Sequence, residues 1–381
     1  MCIRDSNFAE HFADLAKGGV FKQPDLAKTL QRIAELGPPG FYSGETADLI
    51  VAQMQRSGGL ITKQDLANYQ PVWRRPLSAD WKGYRVLSSP PPSSGGFAVI
   101  HLLKMMQQLG AEFDGLAHNS TQYVHLIAEM EKRVFADRAE YFGDPDFVAI
   151  PMQEIMDAAY ISSRAAAVNP EQISDTDTIA PGLESNDTTH FSIVDAQGNA
   201  VSNTYTLNWS YGSGEVVEGG GFLLNNEMDD FSTKPGVPNI YGVVGGTANE
   251  IQPGKRMLSS MSPTIVLKDN EPVVVVGGMG GSTIFTSVFQ VIVNLLEYEM
   301  SAEQSVDASR FHHQLLPKDL VTMSISRPLS KAVQRELKAM GYKVEPHSFE
   351  FGDVQVVARV DGELTAASDP RDIGKSIVDT P

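Results

Sequence analysis

The sequence predicts an α+β protein built in layers, an antiparallel sheet with helices on its faces. Three observations carry that expectation. Apolar residues in the first half recur at three- and four-residue steps, as in amphipathic helices. From Thr188 onward they alternate within short runs rich in valine, isoleucine and threonine, as in strands. Turn signals such as Asp269-Asn270 and Asp361-Gly362 separate those runs.

The elements follow in chain order. A helix is expected over 24–36, with Leu26, Leu30, Ile33 and Ala34 on one face and Gly37 as its stop. A second covers 44–55, Gly58-Gly59 turns the chain, and Thr62 with Asp65 reads as a capping box. Residues 76–86 are extended. Pro90-Pro91-Pro92-Ser93-Ser94-Gly95-Gly96 reads as a rigid, then flexible loop before an apolar helix over 97–109. The longest helix spans 120–141, with Tyr123, Ile127, Met130, Val134 and Phe135 at helical steps. Residues 168–186 are polar and read as an exposed loop. Strands are expected over 190–194, 200–207, 264–267, 273–276, 354–360 and 363–367. Helices are expected over 284–296, 301–310 and 329–340, the last stopped by Gly341.

Charge and composition exclude several functions. With 30 Lys+Arg against 47 Asp+Glu in 381 residues, the net charge is −17, and a nucleic-acid partner would need a basic face. No run of about 18 apolar residues exists to span a membrane; the nearest, 284–296, is broken by Thr286, Ser287, Gln290 and Asn294. The single cysteine, Cys2, excludes a disulfide framework and a cysteine-rich metal site. No His-Glu-x-x-His occurs, and the adjacent His312-His313 do not share a helix face, so no metal is expected. The Gly-x-Ser-x-Gly elbow of serine hydrolases is absent too. Gly277-Gly278-Met279-Gly280-Gly281-Ser282 lacks the lysine of a phosphate loop, and Thr283 stands where a dinucleotide loop needs glycine. The turn still aims backbone N–H groups outward at a helix start, where an oxyanion fits as well as a phosphate. The opening residues carry no signal peptide and run almost at once into a helix, so the chain is expected to begin inside a longer protein.

One hairpin sets the candidate chemistry. Residues 190–195 and 199–206 pair symmetrically about Gln197, with Gly198 in the left-handed position of a three-residue loop. That register puts Asp195 against Asn199 and Thr188 opposite Thr206, with Asn208 two residues further on the same face. Side-by-side threonines are by themselves an ordinary sheet contact.

Longer motifs give the hairpin a meaning. Asn186-Asp187-Thr188-Thr189-His190, Thr204-Tyr205-Thr206-Leu207-Asn208 and Leu224-Asn225-Asn226-Glu227-Met228-Asp229-Asp230-Phe231 resemble the gamma-glutamyltransferases. So do Lys234-Pro235-Gly236-Val237-Pro238-Asn239, Leu258-Ser259-Ser260-Met261-Ser262-Pro263-Thr264 and Gly280-Gly281-Ser282. Upstream, Gly58-Gly59-Leu60-Ile61-Thr62, the stretch from Pro90 to Gly96, and Ala136-Asp137-Arg138 match as well. The resemblance covers the chain from about residue 10 to Arg371.

The resemblance implies an N-terminal-nucleophile hydrolase, a four-layer αββα sandwich that cuts its own chain at Asp187–Thr188. Residues 1–187 would be the C-terminal part of the large subunit and 188–381 the small subunit, the two forming one structural domain. The freed α-amine of Thr188, with a pKa of about 7.7–8, serves as base for its own hydroxyl, which leaves His190 a structural role. By the same resemblance Thr188 is the nucleophile and Thr206 orients it. Asn208, Glu227 and Asp230 hold the α-ammonium of the γ-glutamyl group, and Ser259 and Ser260 bind its α-carboxylate. The amides of Gly280 and Gly281 form the oxyanion hole, and the segment from Pro235 to Gly246, with Tyr241, covers the pocket. Glutathione and related γ-glutamyl amides would donate to water or to amino acid and peptide acceptors. No cofactor is implied, and relatives of this kind are periplasmic or secreted.

Two departures bear on these expectations. Gly278-Met279 stands where the family usually carries Ser-Pro. Full-length members also have a further N-terminal part, with an arginine for the substrate carboxylate. Without that cation, binding would weaken by about 3–5 kcal/mol, so this chain alone is expected to mature poorly. Two other readings compete: an acylase of the same fold (cephalosporin, glutaryl or poly-γ-glutamate type), and a non-catalytic fragment.

Overall fold

The computed structural model describes residues 7–12, 19–176, 189–234, 246–360 and 362–379. By contacts these divide into two compact units, one running up to Arg74 and taking in Leu207–Glu227, the other Arg75–Thr206 with the chain from Met228. The expected division into 1–187 and 188–381 is a separate matter, since its border lies outside the described residues. At Leu207 the chain leaves its hairpin and builds a separate small core with N-terminal helices.

The first unit holds α1 (Phe8–Phe12), α2 (Pro24–Leu36), α3 (Pro39–Tyr42), α4 (Gly44–Ser57) and α5 (Lys63–Asn68). Gly37 and Gly58 end α2 and α4 at positive φ, and Thr62 with Asp65 makes the expected capping box. Ala47, Ile50, Leu66 and Val217 form its core, with Phe41 and Phe222 packed on them. The expected buried face of α2 is corrected: Leu30 is 55% exposed, and Thr29 is the buried residue. Its hydroxyl donates to the Gly220 carbonyl at 2.9 Å, so a polar bond rather than the leucine row anchors the helix.

The second unit begins with β1 (Leu77–Trp81) and β2 (Tyr84–Ser88). The expected single extended run is thus a hairpin, turned by Lys82 and Gly83, both at positive φ, which matches the strand twist. Then come α6 (Gly95–Gln108), α7 (Gly110–Phe113), α8 (Thr121–Tyr141), α9 (Met152–Ile155) and α10 (Ala158–Ala166). Gly95 and Gly96 belong to the helix instead of the loop. A Cβ on Gly96 would stand 2.1 Å from the Ser89 carbonyl oxygen, so only glycine lets α6 start there. The hairpin β3 (Thr189–Val194) and β4 (Ala200–Tyr205) follows, then β5 (Thr264–Lys268), β6 (Glu271–Gly278), α11 (Thr283–Leu296) and α12 (Ala302–Asp307). The chain closes with β7 (Phe311–His313), β8 (Leu320–Met323), α13 (Lys331–Met340), β9 (Lys343–Pro346), β10 (Val354–Val360) and β11 (Glu363–Ser368). The helix expected to reach residue 310 stops at Asp307 because β7 takes over.

An antiparallel sheet of order β1-β2-β5-β6-β10-β11 is the centre of this unit. Along β6, Val274 and Val276 join the main core with Phe97, Phe285 and Phe289 of α6 and α11, while Val275 is buried outside that core. That alternation puts helices on one face. The β3–β4 hairpin packs on β6, where Ser202 Oγ donates to the Val276 carbonyl at 2.9 Å. Helix, sheet and second sheet are thus layered within one unit. The separate sheet β7-β8-β9 was not foreseen, because its three- and four-residue strands are too short to show alternation.

Candidate active site

The hairpin has the expected register. Thr189 pairs with Tyr205 and His190 with Thr204, symmetric about Gln197. Gly198 turns at φ +85°, and the Asp195 carboxylate accepts from the amides of Gln197 and Asn199. Asp187, Thr188, Tyr241 and the cover segment 235–245 lie outside the described residues. Thr206 is half-buried just beyond the end of β4. The same-face expectation for Asn208 is corrected: its φ is +73°, and strand alternation ends before it. Its side chain is buried in the first unit, donating to the Asn226 carbonyl at 3.3 Å.

His190 is held from both sides. Thr204 Oγ1 lies 2.8 Å from Nδ1 and Ser192 Oγ 3.0 Å from Nε2. Burial pushes its pKa down to about 4, so it is neutral at pH 7. The ring rests on Gly277, where a Cβ would stand 2.2 Å from ring carbon Cε1. With both nitrogens engaged by hydroxyls of its own hairpin, the neutral ring packs on Gly277 of β6 and so sets hairpin against sheet.

Next along β6 comes the glycine turn. The Met279 amide donates to the Asp353 carbonyl at 2.9 Å, so the departure from Ser-Pro is absorbed by a backbone bond. Gly280 and Gly281 have φ of +129° and +56°. Their carbonyls accept from Thr283 and Ile284 as α11 begins. Neither glycine amide donates to a described residue. Two N–H groups at a helix start can receive an oxyanion.

Ser259 and Ser260 sit in a turn gripped by the Pro-rich loop. The Ser259 carbonyl accepts the Ser94 amide at 2.8 Å, Ser94 Oγ at 2.9 Å and Ser93 Oγ at 3.2 Å. The Ser259 amide donates to the Pro92 carbonyl, and its hydroxyl accepts from the Met261 amide. Ser260 is 5% exposed, and among the described residues its hydroxyl has no hydrogen-bond partner. Its proton is thus available to a ligand acceptor or water, as are those of Tyr123, Ser232 and Ser287.

Asp230 joins this turn through Asn249. Asn249 Nδ2 donates to the Asp230 carbonyl at 2.7 Å, and its Oδ1 accepts the Leu258 amide at 3.1 Å. Glu227 belongs to the first unit, where burial pushes its carboxyl up to about 7. The second unit thus carries the Thr206 hairpin, the glycine amides, the serine turn and Asp230, while Asn208 and Glu227 are placed in the first. Sequence reasoning missed Asn249, whose only signal was its place ten residues before Ser259.

Beside β3 opens a cavity of about 460 Å³, lined by Thr189, His190, Ser192, Met279, Asp353 and Gln355 among others. Burial, then the charges of Asp369 and Asp372, push the Asp353 carboxyl up to about 7. Among the described residues no cluster of three metal-ligating side chains occurs, and no helix is long and apolar enough to cross a membrane.

Comparison with known proteins bears on the fold and the family. A cephalosporin acylase structure from Bacillus halodurans superposes with a TM-score of 0.78 at 26% identity, covering 96% of this chain and 65% of that one. The chain accordingly has the α+β N-terminal-nucleophile hydrolase fold, the αββα sandwich. The glutathione hydrolase proenzyme of Pseudomonas aeruginosa is 56% identical over 377 residues, 99% of this chain and 68% of the relative. That of Escherichia coli is 46% identical over 363 residues, 94% of this chain and 62% of the relative. The chain therefore spans about two thirds of the length of these curated relatives. The family model described as gamma-glutamyltranspeptidase matches residues 4–378. By that match, those identities and that fold, the chain belongs to the gamma-glutamyltranspeptidase family.

Proposed function

We propose that the whole protein transfers γ-glutamyl groups from glutathione and other γ-glutamyl amides to water or to amino acid and peptide acceptors. Maturation comes first. The Thr188 hydroxyl attacks the Asp187 carbonyl carbon, the acyl group passes from nitrogen to oxygen, and water hydrolyses the ester. Chains 1–187 and 188–381 result, the large-subunit part and the small subunit of one heterodimer, with a free α-amine on Thr188. That amine takes the hydroxyl proton as Thr188 attacks the γ-carbonyl, with Thr206 orienting the hydroxyl. The amides of Gly280 and Gly281 receive the oxyanion, the ammonium returns its proton to the leaving amine, and a γ-glutamyl ester remains. Water or an acceptor amine then releases the product.

The head group is read by charge. Asp230, Glu227 and Asn208 take the α-ammonium, Ser259 and Ser260 the α-carboxylate, and Tyr241 belongs to the cover. Ser260 supports this reading more than any other single residue: a buried hydroxyl without a described partner suits a carboxylate acceptor. The relatives' proenzyme names support cleavage into two chains, and export to the periplasm or medium is part of the same proposal.

A second reading, an acylase for a plain dicarboxylic acyl group, is favoured by the likeness to the cephalosporin acylase. Intact-mass measurement of the full-length protein after incubation, with a Thr188→Ala control, tests maturation. Hydrolysis of γ-glutamyl anilide against glutaryl anilide, which lacks the α-amine, then separates the two readings. Preference for the glutaryl compound would overturn the γ-glutamyl assignment.

A further inference from the structure

Behind the serine turn stands a buried cation that the reaction described above does not use. Arg138 lies in the last turn of α8, 3% exposed. Burial pushes its pKa down to about 9, while the charge of Asp230 acts to raise it. Its Nε donates to Ser94 Oγ at 2.8 Å. An arginine Nε has a proton to give and no lone pair, so Ser94 Oγ must accept there. The one proton of that hydroxyl is then committed to the Ser259 carbonyl, 2.9 Å away.

The result is a polarised chain from guanidinium to hydroxyl to carbonyl, and it ends one peptide before the Ser260 hydroxyl, which has no partner among the described residues. Space around the turn is tight: a Cβ on Gly95 would stand 2.5 Å from the Ser260 carbonyl oxygen and 2.3 Å from Ser262 Oγ. The turn therefore has little freedom to shift by itself, and its aim depends on what holds the Ser259 carbonyl. Lysine could supply the charge but lacks the Nε that donates to Ser94.

We propose that Arg138 is a positioning residue of the head-group site, fixing the Ser259-Ser260 turn through Ser94 and steadying Asp230 by its charge. It thereby couples the carboxylate side of the site to the ammonium side. The proposal rests on the γ-glutamyl reading above.

Arg138→Met, Arg138→Lys and Ser94→Ala in the full-length protein test it. Each variant is first checked by intact mass for cleavage at Asp187–Thr188 and by thermal melting. With γ-glutamyl anilide, KM is expected to rise about tenfold or more in Arg138→Met and Ser94→Ala while kcat stays within about threefold, because ground-state and transition-state binding fall together. The inhibition constant of L-glutamate should rise in parallel. Arg138→Lys should fall between Arg138→Met and the unaltered protein, since it keeps the charge and loses the Nε donor. Should Arg138→Met fail to fold, Ser94→Ala gives the decisive reading. Unchanged KM in a mature, folded Ser94→Ala overturns the proposal, as does a loss of kcat that merely follows a lowered melting temperature. If the unaltered protein itself prefers glutaryl anilide, the γ-glutamyl reading has failed, and this proposal falls with it.

Discussion

Replacing Gly277 by alanine should detach the β3–β4 hairpin from its sheet. The added Cβ would stand 2.2 Å from His190 Cε1, 2.5 Å from Nδ1 and 2.8 Å from Nε2, all well inside the 3.4–4 Å of ordinary contact. The ring cannot swing aside cheaply, because Thr204 and Ser192 hold its two nitrogens and it is buried. Two outcomes remain: the ring gives up both hydrogen bonds, or the hairpin lifts from β6. Overpacking of this kind costs about 1–3 kcal/mol, and two lost hydrogen bonds add about 0.5–1.5 kcal/mol each. A destabilisation of about 2–6 kcal/mol is expected, read as a lower urea midpoint at unchanged slope. Since Thr206 follows the same hairpin, maturation and turnover should fall with it. The double variant Gly277→Ala/His190→Ala removes the clash and should recover much of the loss, a coupling that a double-mutant cycle measures. If Gly277→Ala alone stays within about 0.5 kcal/mol of the unaltered protein, the packing argument is wrong.

Three other outcomes are expected. Ser260→Ala deletes a hydroxyl with no described partner, so thermal stability should hold or rise while donor KM increases; a fall in stability with KM unchanged would refute the ligand role. The Glu227 carboxyl, pushed up to about 7 by burial, binds an ammonium only when ionised, so donor KM should fall as pH rises through 7. Glu227→Gln should abolish that dependence in a KM–pH profile. His101, His312 and His313, pushed down to about 3, and His190, at about 4, are kept neutral by burial. Their folded values lie below the unfolded value of about 6.5, so the stability they carry is present above that pH and lost as pH falls toward 3. Urea midpoints from pH 8 down to about 4 should fall, and flat midpoints would contradict the assigned neutral state.

The sequence by itself determined much of this protein. Helical periodicity marked α2, α4, α8 and α11; glycine stops at Gly37, Gly58 and Gly341 were legible because few other residues tolerate positive φ. The hairpin register followed from symmetry about Gln197, since a one-residue slip would turn every side chain to the wrong face. The candidate site residues came from the family resemblance of ordered motifs, since the threonine pairing by itself is an ordinary sheet contact. What no local pattern carried was decided by tertiary contact. The β7-β8-β9 sheet exists because distant short strands meet, and Thr29 is buried only because Gly220 lies against it. Arg138 stood in a matched motif with no role attached, and Asn249 looked like an ordinary polar residue of a loop. Their meaning comes from Ser94, 44 positions away, and from Asp230, 19 away. Periodicity records the faces an element must bury, whereas a hydrogen bond between distant segments leaves no periodic trace and is fixed only when the chain packs.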